Sequence, residues 1–275
     1  DIFGMYIFSI IIGIIIYLLI YYTNIKVGKN SIVSAIITIT SIYMLSGFIT
    51  ARSQVITYIC CILTVLFIER FLESRKKRFA IGLILVPILL ANCHAALFPI
   101  YFVIYLPYIA EYLISFLNRK EKTKDRQGKI IIERNTNTKW LLLLFVICIF
   151  TGLLTPLKDI PYTYMIKSIQ GNTMNFISEH QAVAPIQSIS ILVMFIIIVM
   201  LLFSNKIKIR LQDIFMLLGM SILGLISYKQ FPTFFICTMC IINKLSGMVI
   251  SESMKERTKK IVTKVLSIKG IVYIT

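Results

Sequence analysis

The stretch Ile2–Tyr22, IFGMYIFSIIIGIIIYLLIYY, holds no charged side chain and no proline. Wound as a helix at 1.5 Å per residue it measures about 31 Å, the thickness of a bilayer's hydrocarbon core. Eight further apolar runs follow: Ser31–Ile49, Gln54–Ile68, Phe79–Ala91, Ala96–Leu117, Trp140–Leu154, Ile186–Phe203, Asp213–Ser227 and Phe231–Ile250. Phe79–Ala91 is the shortest. Backbone N–H and C=O groups find no water in hydrocarbon, so runs of this kind have to pair internally as helices. No strand-like alternation competes. The expected fold is an all-α, polytopic membrane bundle of about nine transmembrane helices over residues 1–250.

The whole chain agrees with that reading. Of its 275 residues 58% are hydrophobic and 15% charged, with a mean hydropathy of +0.86. Soluble domains run near 45–50% apolar and about 25% charged, so a water-soluble globule, a disordered chain and a disulfide scaffold are excluded. No signal peptide with a cleavage site is visible. The chain starts at Asp1 and runs straight into apolar sequence, which leads us to expect a missing N-terminal part.

A formal charge of +17 would point to nucleic acid in a soluble protein, but here the cations are sorted. Segments Asn24–Asn30, Arg70–Arg78, Asn118–Lys139, Ser204–Gln212 and Ser251–Thr275, with Lys244, hold 25 of the 29 Lys and Arg. The alternate segments hold only Arg52, Lys158, Lys167 and Lys229. By the positive-inside rule the basic segments face the cytoplasm and Asp1 lies outside. The basic runs then fix topology and lean on anionic lipid. They lack the stacking aromatics and recognition fold that nucleic-acid binding needs. The tail 251–275 reads as a basic amphipathic cytoplasmic helix starting near Ser253, or as the start of a further span.

Chemistry-bearing motifs are few. The six cysteines lie in or beside apolar runs without the polar company that thiolate ligands need, so they read as packing residues and no metal or other cofactor is expected. No phosphate loop, nucleophile elbow or internal repeat appears. No ionisable residue is expected deep in the spans, which weakens a transporter reading.

The informative polar residues gather on the outer side. They are the turn Thr50–Gln54 with Arg52, the break Asn92-Cys93-His94-Ala95, the long loop 155–185 with Ser178-Glu179-His180, and the turn Tyr228–Pro232 with Lys229. Arg52 and Lys229 also fit interfacial anchors, Asn92 and His94 helix ends, and Glu179 and His180 solvated loop positions. Residues around 160–169 suit a helix lying on the outer surface. Arg, Lys, His and Glu at a membrane surface suit an anionic, lipid-linked substrate. Arg grips phosphate with two parallel bonds, and His or Glu moves a proton.

These segments carry a resemblance. Arg52-Ser53-Gln54, an apolar helix ending Glu69-Arg70, a basic loop, Asn92-Cys93-His94-Ala95, Gly152-Leu153-Leu154-Thr155-Pro156, Ser178-Glu179-His180 and Lys229-Gln230-Phe231-Pro232 follow in order. The series resembles bacterial polytopic proteins similar to GT-C-type membrane glycosyltransferases. The chain has Ser53, Ala95, His180 and Lys229 where that pattern has Pro, Gly, Trp and Arg. The resemblance implies a plasma-membrane protein that takes sugar from a polyprenyl-phosphate-linked donor, with partners limited to membrane lipid and that substrate. It implies phosphate contacts from Arg52, Asn92 and Lys229, and catalytic candidates His94, Glu179 and His180. It also implies an acidic base in the first outer loop, just before Asp1. A non-enzymatic lipid or polysaccharide transporter or scaffold, and a polysaccharide polymerase, are the competing readings.

Overall fold

A computed structural model describes residues 2–117, 129–170, 182, 189–204 and 207–272, with the side chains of 165, 168–170, 190 and 256–272 excepted. Among these residues the chain forms ten α-helices. They are α1 (Ile2–Gly28), α2 (Ser31–Leu45), α3 (Gln54–Ser74), α4 (Lys77–Cys93), α5 (Phe98–Leu117), α6 (Thr138–Ile149), α7 (Ile160–Gln170), α8 (Ile189–Phe203), α9 (Leu211–Ile226) and α10 (Phe231–Val272). The fold is all-α. One small addition is β1 (Ile130–Ile131) pairing in parallel with β2 (Ile209–Arg210).

Four helical stretches are long and apolar enough to cross a membrane: Ile2–Gly28, Gln54–Ser74, Ala95–Leu117 and Tyr228–Lys255. Four shorter helices are also apolar. The outward faces are greasy as well: Phe3, Ile10, Ile14 and Leu18 of α1 and Ile32, Ile36 and Ile39 of α2 are all exposed. Soluble proteins rarely leave such contiguous apolar surface uncovered.

The centre belongs to α3 and α10, which pack on each other and on α1. From Phe231 to Asn243 every residue of α10 is buried, as a helix apolar on all sides requires. Around this pair, α4 lies on α3, α9 on α10, and α5 on both α3 and α9. Inside α4, Pro87 has no N–H and leaves the carbonyl of Leu83 without its helical partner. Tyr101 Oη of α5 and Cys148 Sγ of α6 donate to it instead (the thiol at 3.4 Å). Cys148 thus makes a polar contact beyond the packing role read from sequence.

Two ends of the bundle emerge from side-chain contacts. At one end Lys29, after α1, reaches Glu73 of α3 at 3.1 Å, and Lys244 of α10 reaches Asp213 of α9 at 2.7 Å. Basic segments collect there. At the other end Phe48, after α2, packs on Tyr228 and Phe231 with ring centres 5.2 and 6.0 Å apart.

Several expectations change. The short run Phe79–Ala91 lies within a longer helix that opens at Lys77, because Arg75 ends α3 in the left-handed conformation with its N–H on Phe71 O at 2.8 Å. No helix starts at Ser253; α10 runs through it to Val272 without a break. Two carboxylates are nevertheless buried in the bundle, near its basic end rather than at mid-span. Glu111 and Asp213 are each only 2% exposed, buried because Arg210 and Lys244 reach them from neighbouring segments. Of the two long loops, residues 118–128 and most of 171–185 lie outside the described residues.

Candidate functional site

The end away from the basic segments carries the candidate site. After Leu45 the chain turns through Phe48 and Ile49 and enters α3 at Gln54 with Arg52 on the turn. The backbone N–H groups of Arg52 and Val55 are bonded to Thr50 O (2.7 Å) and Arg52 O (3.3 Å), so the turn is set locally. Ser53 precedes the helix without capping it through its side chain. The positive end of the α3 dipole therefore faces the same region as the Arg52 guanidinium. On the far side of the chain, a short 3-10 turn (Tyr228–Gln230) leads into α10 and carries Lys229. Contact of the Phe48 and Tyr228 rings, tilted at 48°, brings the two turns together.

Between them lies a cavity of about 210 Å³, lined by Gly47, Phe48, Thr50, Arg52, Gln54, Tyr228 and Lys229. Two cations separated by most of the chain thus share one hollow at a helix N-terminus. A site of this composition can hold a doubly bonded oxyanion, with Tyr228 and Phe48 offering apolar flank.

His94 ends α4. Its backbone N–H bonds Leu90 O at 2.8 Å, and its own carbonyl accepts from Leu97 as the chain tightens into the 3-10 turn Ala95–Leu97. The ring lies against α3: Nδ1 is 2.7 Å from the hydroxyl of Thr57, which is fully buried. Burial, aided by the nearby charge of Lys229, holds His94 below the usual histidine range and so in its neutral form. Lys229 therefore links His94 electrostatically to the cavity it lines.

Asn92 stands apart from that lining. Its amide donates to Ile88 O at 2.8 Å and to Leu154 O at 3.1 Å, tying the end of α4 to the turn after α6. Lys158 and Lys167 are exposed. Helix α7, which carries Lys167, packs on the Ala95–Leu97 turn and α5, where Tyr162 meets Phe98 at 5.5 Å between ring centres. Glu179 and His180 lie outside the described residues. Of the residues singled out from sequence, Arg52 and Lys229 share the cavity, His94 contacts the first turn of α3 through Thr57, Asn92 supports the same end, and the other two are not placed.

Sequence reading gave Gln54 only as part of the Arg52 turn, with no role of its own, and missed Thr57. Their spacing of three residues puts them on one face of the first turn of α3, the signal that was there to use. Elsewhere, an apolar cavity of about 230 Å³ between α5 and α9, lined by residues such as Leu106, Pro107, Phe215 and Met220, offers no polar group to grip a headgroup. Among the described residues no three His, Cys, Asp or Glu side chains are grouped to hold a metal ion. None of the family models, curated proteins and solved structures compared with this chain matches it.

Proposed function

We propose that the chain is a GT-C-like integral membrane protein of the bacterial plasma membrane, with nine spans, α1 to α6 and α8 to α10, and its basic segments in the cytoplasm. On this reading it transfers sugar from a polyprenyl-phosphate-linked donor at the outer face. The observation that carries the reading is the cavity shared by Arg52 and Lys229 at the N-terminus of α3. Arg52 and Lys229 hold the donor phosphate, and His94 lies alongside. Asn92 keeps the α4 turn in place from its bond to Leu154 O. The acceptor hydroxyl oxygen bonds to the anomeric carbon, the phosphate leaves with the electron pair of the broken C–O bond, and a carboxylate takes the hydroxyl proton. Glu179 and His180 meet donor or acceptor from their loop.

Binding tests this directly. A polyprenyl phosphate in lipid nanodiscs should bind the unaltered protein, with affinity reduced at least tenfold in Arg52→Ala and in Lys229→Ala, since each removes a charge-assisted contact of about 1.5–3 kcal/mol. Arg52→Lys should be weaker than the parent, because Lys cannot reproduce the guanidinium fork. Unchanged affinity in the double alanine variant would remove the lipid-phosphate reading. Topology is checked separately: a reporter after Lys124 should read cytoplasmic and one after Gln170 external.

A further inference from the structure

Thr57 sits one turn into α3, fully buried, with its hydroxyl on Nδ1 of His94. Several helical threonines return their hydroxyl proton to the carbonyl four residues back, as Thr38 does to Ser34, Thr64 to Cys60 and Thr238 to Phe234, whereas the buried hydroxyls of Thr23 and Thr233 have no partner among the described residues. Among the described hydrogen bonds Thr57 makes none of this kind; its hydroxyl goes across to α4. Two arrangements of protons fit the 2.7 Å contact. If His94 carried its proton on Nδ1 and donated, the Thr57 hydroxyl proton would be left without an acceptor in a fully buried place. That costs on the order of 1–3 kcal/mol. If Thr57 donates, both groups are satisfied and the imidazole proton moves to Nε2.

We propose that Thr57 is a positioning residue: its hydroxyl donates to Nδ1 of His94 and fixes the imidazole as the neutral Nε2–H tautomer, a hydrogen-bond donor. The assignment rests on the lipid-phosphate reading for its ligand, an acceptor oxygen of a phosphate or sugar, but not for the tautomer itself. It also changes the role open to His94. With Nδ1 occupied by Thr57 and Nε2 protonated, the ring has no free lone pair to take a proton. His94 then orients or polarises an oxygen, and proton acceptance falls to a carboxylate.

The chain has only two histidines, so nitrogen-15 NMR of histidine-labelled full-length protein in nanodiscs resolves the question, with His180→Gln to assign the signals. At pH 7.5, without ligand, His94 should show a bare, acceptor-type Nδ1 and a protonated Nε2. Thr57→Ser should keep that pattern. Thr57→Val should lose it, giving the averaged shifts of a ring exchanging between tautomers. A protonated Nδ1 in the parent overturns the proposal, and so does an unaltered His94 spectrum in Thr57→Val. Should Thr57→Val not fold, the parent spectrum and Thr57→Ser still decide the matter. Adding polyprenyl phosphate then separates the two readings: a shift of the Nε2 signal supports both. With the tautomer in place, no shift and no binding defect in the Arg52 and Lys229 variants sink the phosphate reading and leave the Thr57 assignment standing.

Discussion

The two ends of the bundle use charge in opposite ways. At the basic end ions are matched inside the protein: Arg210 lies 3.1 Å from Glu111 and 3.2 Å from Glu133, and Lys244 lies 2.7 Å from Asp213. Tyr108 donates to Glu69 at 2.8 Å beside them. Burial works against the Arg210 charge, yet Glu111, Glu133, Asp213 and Glu69 together outweigh it and hold that guanidinium above its usual range. At the far end Arg52 and Lys229 line a hollow and lie near a neutral histidine. Matched ions lock helices in register at the first end, whereas at the second two cations from distant turns line one hollow at a helix N-terminus.

The sharpest way to break the contrast is to unmatch the first end. Arg210→Met leaves the Glu111 carboxylate buried without its partner and should cost about 3–5 kcal/mol, read as a lowered melting temperature in detergent micelles. Adding Glu111→Leu should recover most of it, because the penalty belongs to the stranded charge. Next comes the polar seam beside these ions. Asn243 donates to Asn24 O at 2.8 Å and Ser34 Oγ at 2.9 Å, and a Cβ on Gly28 would stand 2.2 Å from its amide nitrogen. Gly28→Ala should therefore destabilise by about 1–3 kcal/mol through overpacking. Asn243→Ala on top should relieve the clash, so that the two changes are strongly non-additive in the same melting assay.

At the far end the same assay should read almost nothing. Arg52→Ala and Lys229→Ala should shift stability within about 0.5 kcal/mol, as surface substitutions do, while lipid-phosphate affinity falls. A large stability loss in either would make that end a second structural clasp and erase the distinction. The smallest effect is a pH dependence. His94 is held below its usual value in the folded protein, so the unfolded chain binds the proton more readily. Stability from this group is intact above about pH 6.5, the ordinary histidine value, and declines as pH falls through the lowered folded value. His94→Gln should flatten that decline, seen by comparing melting curves between pH 7.5 and 5.

Much of this was legible in sequence for a simple reason. Hydropathy acts locally, so each apolar run announces its helix, and the sorting of Lys and Arg between alternate segments announces which turns share an end. That brought Arg52, His94 and Lys229 to one surface before any coordinates. The basic end was not legible, because its pairs are made between distant positions with no local signature. Nothing near Glu111 indicates that Arg210 will meet it, and the pairing depends on the β1–β2 clip, which places Arg210 opposite Ile131. The reading of Asn92 shows a similar limit: an Asn at a helix end signals a bond, and the partner at Leu154 appears only in three dimensions.

Pro87 has a consequence for the order in which the protein is built. In water an uncovered Leu83 carbonyl would simply be hydrated. On the proposed nine-span reading α4 lies in hydrocarbon, where that carbonyl would be stranded at a cost of several kcal/mol. The groups that cover it, Tyr101 and Cys148, lie on α5 and α6, which leave the ribosome after α4. Helix α4 released alone into lipid would carry that bare carbonyl, so it gains by waiting at the insertion machinery until both successors arrive. Helices α4 to α6 should then enter the membrane as one group, and a chain truncated after α4 should be retained or degraded where one ending after α6 is not.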